Sequence, residues 1–297
     1  MVLAELVQYV ATGLLVGGVY ALMSIGLALI FGVMRVVNFA QADFMMLGMY
    51  LTYFYALTGG IDPLLGAVLT LPPFFALGWA VHRGLLARVT GGGDPQRQMD
   101  AQLILTLGLS LVITNAATMI LTPTPRGIRT GYATQAFVLG PVLLNQARSY
   151  AFVMALVLAA AVYAFLSRTD LGKALRASAD DPEAASYQSI DVRAMHGLAF
   201  GIGIALVAAA GGLLATYYPI EPTVAGNFIV IMFVAVVLGG LGSIPGAFVG
   251  GLVIGLVQSL TLLVLPFQLQ NTGVFIVFLL VLYLRPQGLF GRRARTV

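Results

Sequence analysis

The sequence predicts an all-α integral membrane protein: a single polytopic bundle of eight to ten transmembrane helices over 1–297, N-terminus outside, C-terminus cytoplasmic. Composition, the spacing of apolar segments and the placement of basic residues lead there. Sixty per cent of the 297 residues are hydrophobic and 9% are charged. A soluble domain carries roughly 25% charged residues to cover its wet surface. Lipid is the solvent in which this composition makes sense.

A helix needs about 20 mostly apolar residues to cross the hydrocarbon core. Apolar segments fall near 6–31, 39–57, 63–86, 101–121, 150–166, 197–217, 227–238, 244–265 and 272–284. The second segment admits a broken or re-entrant helix. The seventh is short and runs into Gly239, Gly240, Leu241, Gly242, Ser243, Ile244, Pro245 and Gly246. That break reads as a tight turn or an unwound stretch. Irregular backbone at membrane depth survives only where protein buries it or it lines water.

Basic residues set the orientation. Arg35, Arg83, Arg88, Arg97, Arg168, Lys173, Arg176, Arg193, Arg285, Arg292, Arg293 and Arg295 fall in alternate connections and the tail. Arg126, Arg129 and Arg148 fall in the opposite set. Cytoplasmic loops are the richer in Lys and Arg, so the larger group is inside. The net charge of +4 therefore reports topology, and no nucleic-acid partner is expected. No cleavable leader is expected either, because a basic start is missing and the first apolar stretch is too long.

Several chemistries are excluded. The chain has no Cys, so it offers neither disulfides nor thiolate ligands. Its single Lys, Lys173, is not in a phosphate-binding loop, so the chain is not an ATPase of that kind. Ser243 lacks the spacing of a nucleophile elbow. His82 and His196 fall at span ends, so no intramembrane pair of metal-binding histidines is expected. The chain is not read as an enzyme, and no cofactor or metal is assigned to it.

The inner segment 167–196 is long for a connection, since most are short. Thr169 or Asp170 can cap a helix over 171–179. Asp181 followed by Pro182, with Glu183 in the first turn, starts a second helix through Ala184 and Tyr187. Asp170, Lys173, Arg176, Asp180, Asp181 and Glu183 mix both signs. An interfacial helix facing anionic lipid would be basic instead. Protein docking is the expectation. The outer segment 122–149, with Pro123, Pro125 and Pro141, reads as a partner contact or an ordinary loop.

Polar residues within apolar spans are functional candidates. Asn38, Gln41, Asp43, Thr114, Asn115 and Gln258 are the candidate pathway residues. For Asn, Gln and Thr the alternative is an inter-helical hydrogen bond. For Asp43 it is a place near the inner surface, paired with Arg35. Gly239, Gly240, Gly242, Ser243, Pro245 and Gly246 are candidates for gating or close packing, as are the small-residue steps Gly246/Gly250 and Gly251/Gly255.

Four stretches resemble one family. Gly17 to Leu22, Phe31 to Met34 and Val37 to Ala40 resemble the opening of branched-chain amino acid ABC permeases of the Liv H-subunit type. Leu171 to Ala177, with Asp180, Ala184 to Ser186 and Ile190, is similar to their cytoplasmic coupling segment. Val237 to Ala247 resembles their late glycine-rich motif, and Arg285 to Gly291 their terminal one. The family commonly reads Asn-Phe-Ala-His-Gly-Glu where this chain has Asn38, Phe39, Ala40, Gln41, Ala42 and Asp43. It commonly has Gly where this chain has Ser189. The resemblance implies a second homologous permease, two cytoplasmic ATPase subunits that bind ATP and Mg, and a periplasmic solute-binding protein, in a bacterial inner membrane. It implies import by alternating access, with residues 169–191 coupling to the ATPase. Branched-chain or related amino acids are the leading cargo; urea, short amides and aromatic acids are those of other relatives. The rival class is a stand-alone secondary transporter, which needs buried carboxylates near the bilayer midplane.

Overall fold

The fold was read from a computed structural model, which describes residues 2–89, 95–140 and 142–291. Each predicted apolar segment is helical. In chain order the elements are α1 (Val2–Met34), α2 (Gln41–Gly59), α3 (Pro63–Leu69), α4 (Leu71–Val81), α5 (Ala87–Val89), α6 (Pro95–Leu121), β1 (Ala136–Leu139), β2 (Val142–Asn145), α7 (Gln146–Arg168), α8 (Asp170–Asp180), α9 (Pro182–Tyr187), α10 (Val192–Leu214), α11 (Val224–Gly239), α12 (Ile244–Thr261) and α13 (Thr272–Leu284). A π-helical turn, His82–Leu86, joins α4 to α5.

Among the described residues, 7 helices are long and apolar enough to cross a membrane. The sequence predicts eight to ten. The difference lies in α2 and α11. Helix α2 has 19 residues but carries Gln41, Asp43 and three tyrosines. Helix α11 has 16 residues, short of a full crossing. Both are largely packed inside the bundle, where a polar or short helix is tolerated. The all-α architecture predicted from the sequence holds, with one small addition. The segment 122–149 contains a two-stranded antiparallel hairpin that pairs Ala136 with Asn145 and Leu139 with Val142. Pro141 lies outside the described residues.

Helices α1, α10 and α12 form the centre. Of the spanning residues of α10, 89% are buried, against 11% in α6. The centre is tight because small residues meet backbone. A side chain at Gly251 would strike the backbone of Ala21, and one at Gly255 that of Gly17. Lipid supplies no hydrophobic drive between helices, so such close packing holds them together.

The chain order sorts the loops to two ends. Helix α7 leads from the hairpin to α8, which puts these at opposite ends of a span. The start of α1 lies by the hairpin, where Gln8 meets Leu143. Its other end lies by α8, where Leu29 and Val33 join one apolar cluster with Leu166, Leu175 and Ala199. Arg126 and Arg148 are at the hairpin end. Arg35, Arg168 and Lys173 are at the α8 end. Arg292, Arg293 and Arg295 lie outside the described residues.

Candidate functional site

Residues 35–40 carry the chain back into the bundle after α1. Arg35 turns there with φ 55. Asn38 and Gln41 are fully buried. The Asn38 side-chain amide donates to Gln41 Oε1 at 2.9 Å, and Asn38 Oδ1 accepts from the Ala40 N–H at 3.1 Å. Gln41 Nε2 donates to the carbonyl of Gly203 at 3.4 Å. Gly203 lies midway along α10, so α2 begins deep inside the bundle rather than at its end. These two amides hold the re-entrant turn together.

This start sets the depth of Asp43, one residue-pair further on. The sequence offers a place near the inner surface and a pairing with Arg35; the structure shows neither. Asp43 is 2% exposed and lines a cleft of about 370 Å³ between α2, α6 and the first turns of α11. Thr114 Oγ1 donates to its carboxylate at 2.6 Å, and the Ser110 hydroxyl is a second partner. Phe39, Ala42, Leu107, Ala225 and Ile229 supply apolar walls. Ser110 and Thr114 are four residues apart on one helix face, a spacing the sequence shows, although the sequence alone points only to Thr114.

The remaining pathway candidates separate from this cleft. Asn115 is exposed on the outer face of α6, and its amide donates to Leu111 O at 2.7 Å. Gln258 is an inter-helical tie. It accepts from the Tyr20 hydroxyl at 2.8 Å and donates to Asn271 Oδ1 at 2.8 Å, joining α1, α12 and the start of α13. A wider cleft of about 480 Å³ opens at the hairpin end, lined by Arg126, Arg148 and Tyr217. The Arg148 guanidinium lies over the Tyr217 ring at 5.6 Å. His82 and His196, which the sequence separates, are neighbours with ring centroids 6.4 Å apart. Among the described residues no group of three His, Asp or Glu could hold a metal.

At the other end, the predicted helix pair is present with its caps. Thr169 Oγ1 accepts from the Gly172 N–H at 3.0 Å, so Thr169 is the cap and Asp170 the first helical residue. Asp181 Oδ1 accepts from the N–H groups of Glu183 and Ala184, each at 3.0 Å. Helix α8 seats Gly172, Leu175 and Ser178 on the bundle. The residues Asp170, Lys173, Arg176, Asp180, Asp181, Glu183, Ala184 and Tyr187 are all exposed. Lys173 pairs with Asp170 at 2.9 Å, and the Tyr187 hydroxyl donates to Glu183 at 3.1 Å. Tyr187 is 77% exposed and Leu171 53%. A charged platform with two large apolar side chains thus stands on a buried apolar stripe.

The glycine-rich break lies at the same end and is a tight turn, with α11 ending at Gly239 and α12 starting at Ile244. Ser243 Oγ accepts from the Gly246 N–H at 3.2 Å, and Pro245 fills the first helical turn. Gly240 and Gly242 take φ values of 105 and 81, which L side chains rarely adopt. Gly239 meets the backbone of Gly246, and Gly242 meets Gly32 of α1. The terminal stretch docks on this turn: the Leu289 N–H donates to Leu238 O at 2.8 Å and the Phe290 N–H to Gly239 O at 3.0 Å.

Residues 9–284 match the family described as branched-chain amino acid transport system / permease component. The chain belongs to this family. It is 31% identical over 302 residues to the high-affinity branched-chain amino acid transport system permease protein BraD of Pseudomonas aeruginosa, covering 96% of this chain and 95% of that one. It is 28% identical over 304 residues to the corresponding LivH of Escherichia coli, with 96% and 95% covered. A probable branched-chain amino acid transport permease, LivH of Methanocaldococcus jannaschii, is 29% identical over 244 residues, with 80% and 76% covered. No solved structure matches the chain. Family membership and the apolar helices together make this permease-family chain a multi-pass membrane protein.

Proposed function

We propose that this permease is the membrane subunit of an ATP-driven importer for branched-chain or related amino acids. It works in the bacterial inner membrane with its α8 end in the cytoplasm. A second homologous permease completes the pathway, and two ATPase subunits dock on α8 and α9. A periplasmic binding protein delivers solute to the hairpin end. The chain performs no covalent chemistry; ATP and Mg belong to the ATPase subunits.

The α8–α9 platform carries this reading. A six-residue helix exposed on nearly every side gains little from its own chain. Its N-cap is nonetheless in place, and the charges of both signs across α8 and α9 suit a protein partner. Closure of the ATPase dimer would push on this platform. Leu175 sits among Leu29, Val33 and Leu166, so the push would reach α1 and α7 directly.

The rival, a stand-alone transporter driven by an ion gradient, gains one point from the depth of Asp43. Reconstitution with the products of the neighbouring genes separates the two. Solute should stimulate ATP hydrolysis, and uptake should require ATP. Uptake by this chain alone, without ATP, would overturn the importer reading. Within the assembled complex, Glu183→Lys should leave hydrolysis running while solute uptake falls. Unchanged coupling would take Glu183 out of the interface.

A further inference from the structure

The cleft beside α2 is built around a buried carboxyl group with no cationic partner among the described residues. Among the described residues no Arg, Lys or His forms an ion pair with Asp43; Lys173 with Asp170 is the pair found there. A carboxylate offers about four acceptor positions. Asp43 uses its own on the hydroxyls of Thr114 and Ser110 and on its own backbone N–H, none of which carries a full positive charge. Keeping a buried carboxylate without a cation is costly, and such groups inside a membrane bundle mark sites of function. Gln41 and Asn38, equally buried, are satisfied within the chain and point to no ligand. The cleft is large enough for about a dozen waters, by the roughly 30 Å³ that each occupies in the liquid.

We propose that Asp43 receives the ammonium group of the solute, while Phe39, Leu107 and Ile229 take its aliphatic side chain. Cargo is thereby restricted to small solutes that carry a protonated amine. Urea, short amides and simple carboxylates lack the group that would neutralise Asp43. This rests on the permease reading above and adds to it the residue that sorts cargo within the membrane.

The test uses the assembled importer with its binding protein in liposomes and radiolabelled leucine. ATP-dependent uptake by the unaltered complex checks the permease reading by itself, whatever Asp43 does. Asp43→Asn should then lower leucine uptake by about tenfold or more, the loss expected for a hydrogen bond to a charged group. The Asp43→Asn complex should still assemble, as its elution on size-exclusion chromatography reads. Asp43→Glu, which keeps the charge, should recover most of the uptake. Thr114→Val removes the hydrogen bond between α2 and α6 but keeps the carboxylate, and should cost far less than Asp43→Asn. Unaltered uptake with Asp43→Asn would overturn the proposal. So would a Thr114→Val loss equal to that of Asp43→Asn, which would assign Asp43 to holding α2 against α6. An Asp43→Glu complex as poor as Asp43→Asn would overturn it too, since charge would then not be what matters.

Discussion

At the hairpin end, the strands and their flanks are tied to the bundle through backbone groups; at the α8 end, the segment 167–196 rests on the bundle by one face. The two segments are similar in length and polarity, yet they are secured differently. The hairpin is held by its backbone. Gln8 donates to Leu143 O at 2.7 Å and accepts from the Leu143 N–H at 2.8 Å. Arg126 and Ile220 exchange backbone bonds at 2.9 and 2.8 Å. The Tyr132 hydroxyl donates to the Asp62 carboxylate at 3.0 Å, and burial, with that carboxylate beside it, pushes the phenol above its usual range. The inner segment is held by side chains on one face of α8, and its charges are left outward. One end is thereby tied down over its length, while the other offers a lever with a single anchored edge.

Substitutions can break this contrast or sharpen it. The largest effect is expected at the anchor. Leu175 is 1% exposed, and Leu175→Ala should lower stability by about 3 kcal/mol, as buried leucine truncations do. Thermal unfolding in detergent reads this, and an unchanged melt would mean that α8 is not seated as described. Next comes the hairpin. Gln8→Ala deletes both bonds to Leu143, and local opening should become easier by about 1–2 kcal/mol. Amide exchange should rise over 136–145 and stay level over 170–187. Exchange rising equally at both ends would erase the contrast. The smallest effect is a gain. Ser189 holds φ 61 after α9, a conformation that costs a non-glycine residue about 1 kcal/mol. Ser189→Gly should raise stability by about that amount, and an unchanged melt would count against strain there.

Much of this was legible in the sequence because the signals are local. Apolar length placed the spans, and Thr169 and the Asp181–Pro182 pair placed α8 and α9, since caps are read within four residues. The departure at Ser189 also has a local account, as the position takes a backbone angle that suits glycine. Distance along the chain hid the rest. Gln258 looks like a polar interruption until Tyr20, 238 residues away, supplies its partner. Hydropathy orders segments but does not give depth, so Asp43 reads as a span end although the chain returns to the middle before α2 begins. The cleft joins three helices that no sequence window contains, so nothing near Ser110 in the sequence ties it to Asp43. The hairpin is short and lies in a segment whose prolines read as loop.

The docking of Leu289 and Phe290 on the end of α11 bears on how the protein is made. The carbonyls of Leu238 and Gly239 are left open by their own helix and receive N–H groups from about fifty residues later in the chain. During synthesis those acceptors reach the membrane before their donors exist. The two carbonyls at the end of α11 are therefore satisfied only after residues 289–290 have emerged. The stretch after α13 covers the turn between α11 and α12, so a chain cut short before Leu289 would keep every helix from α1 to α13 and still leave those two carbonyls open.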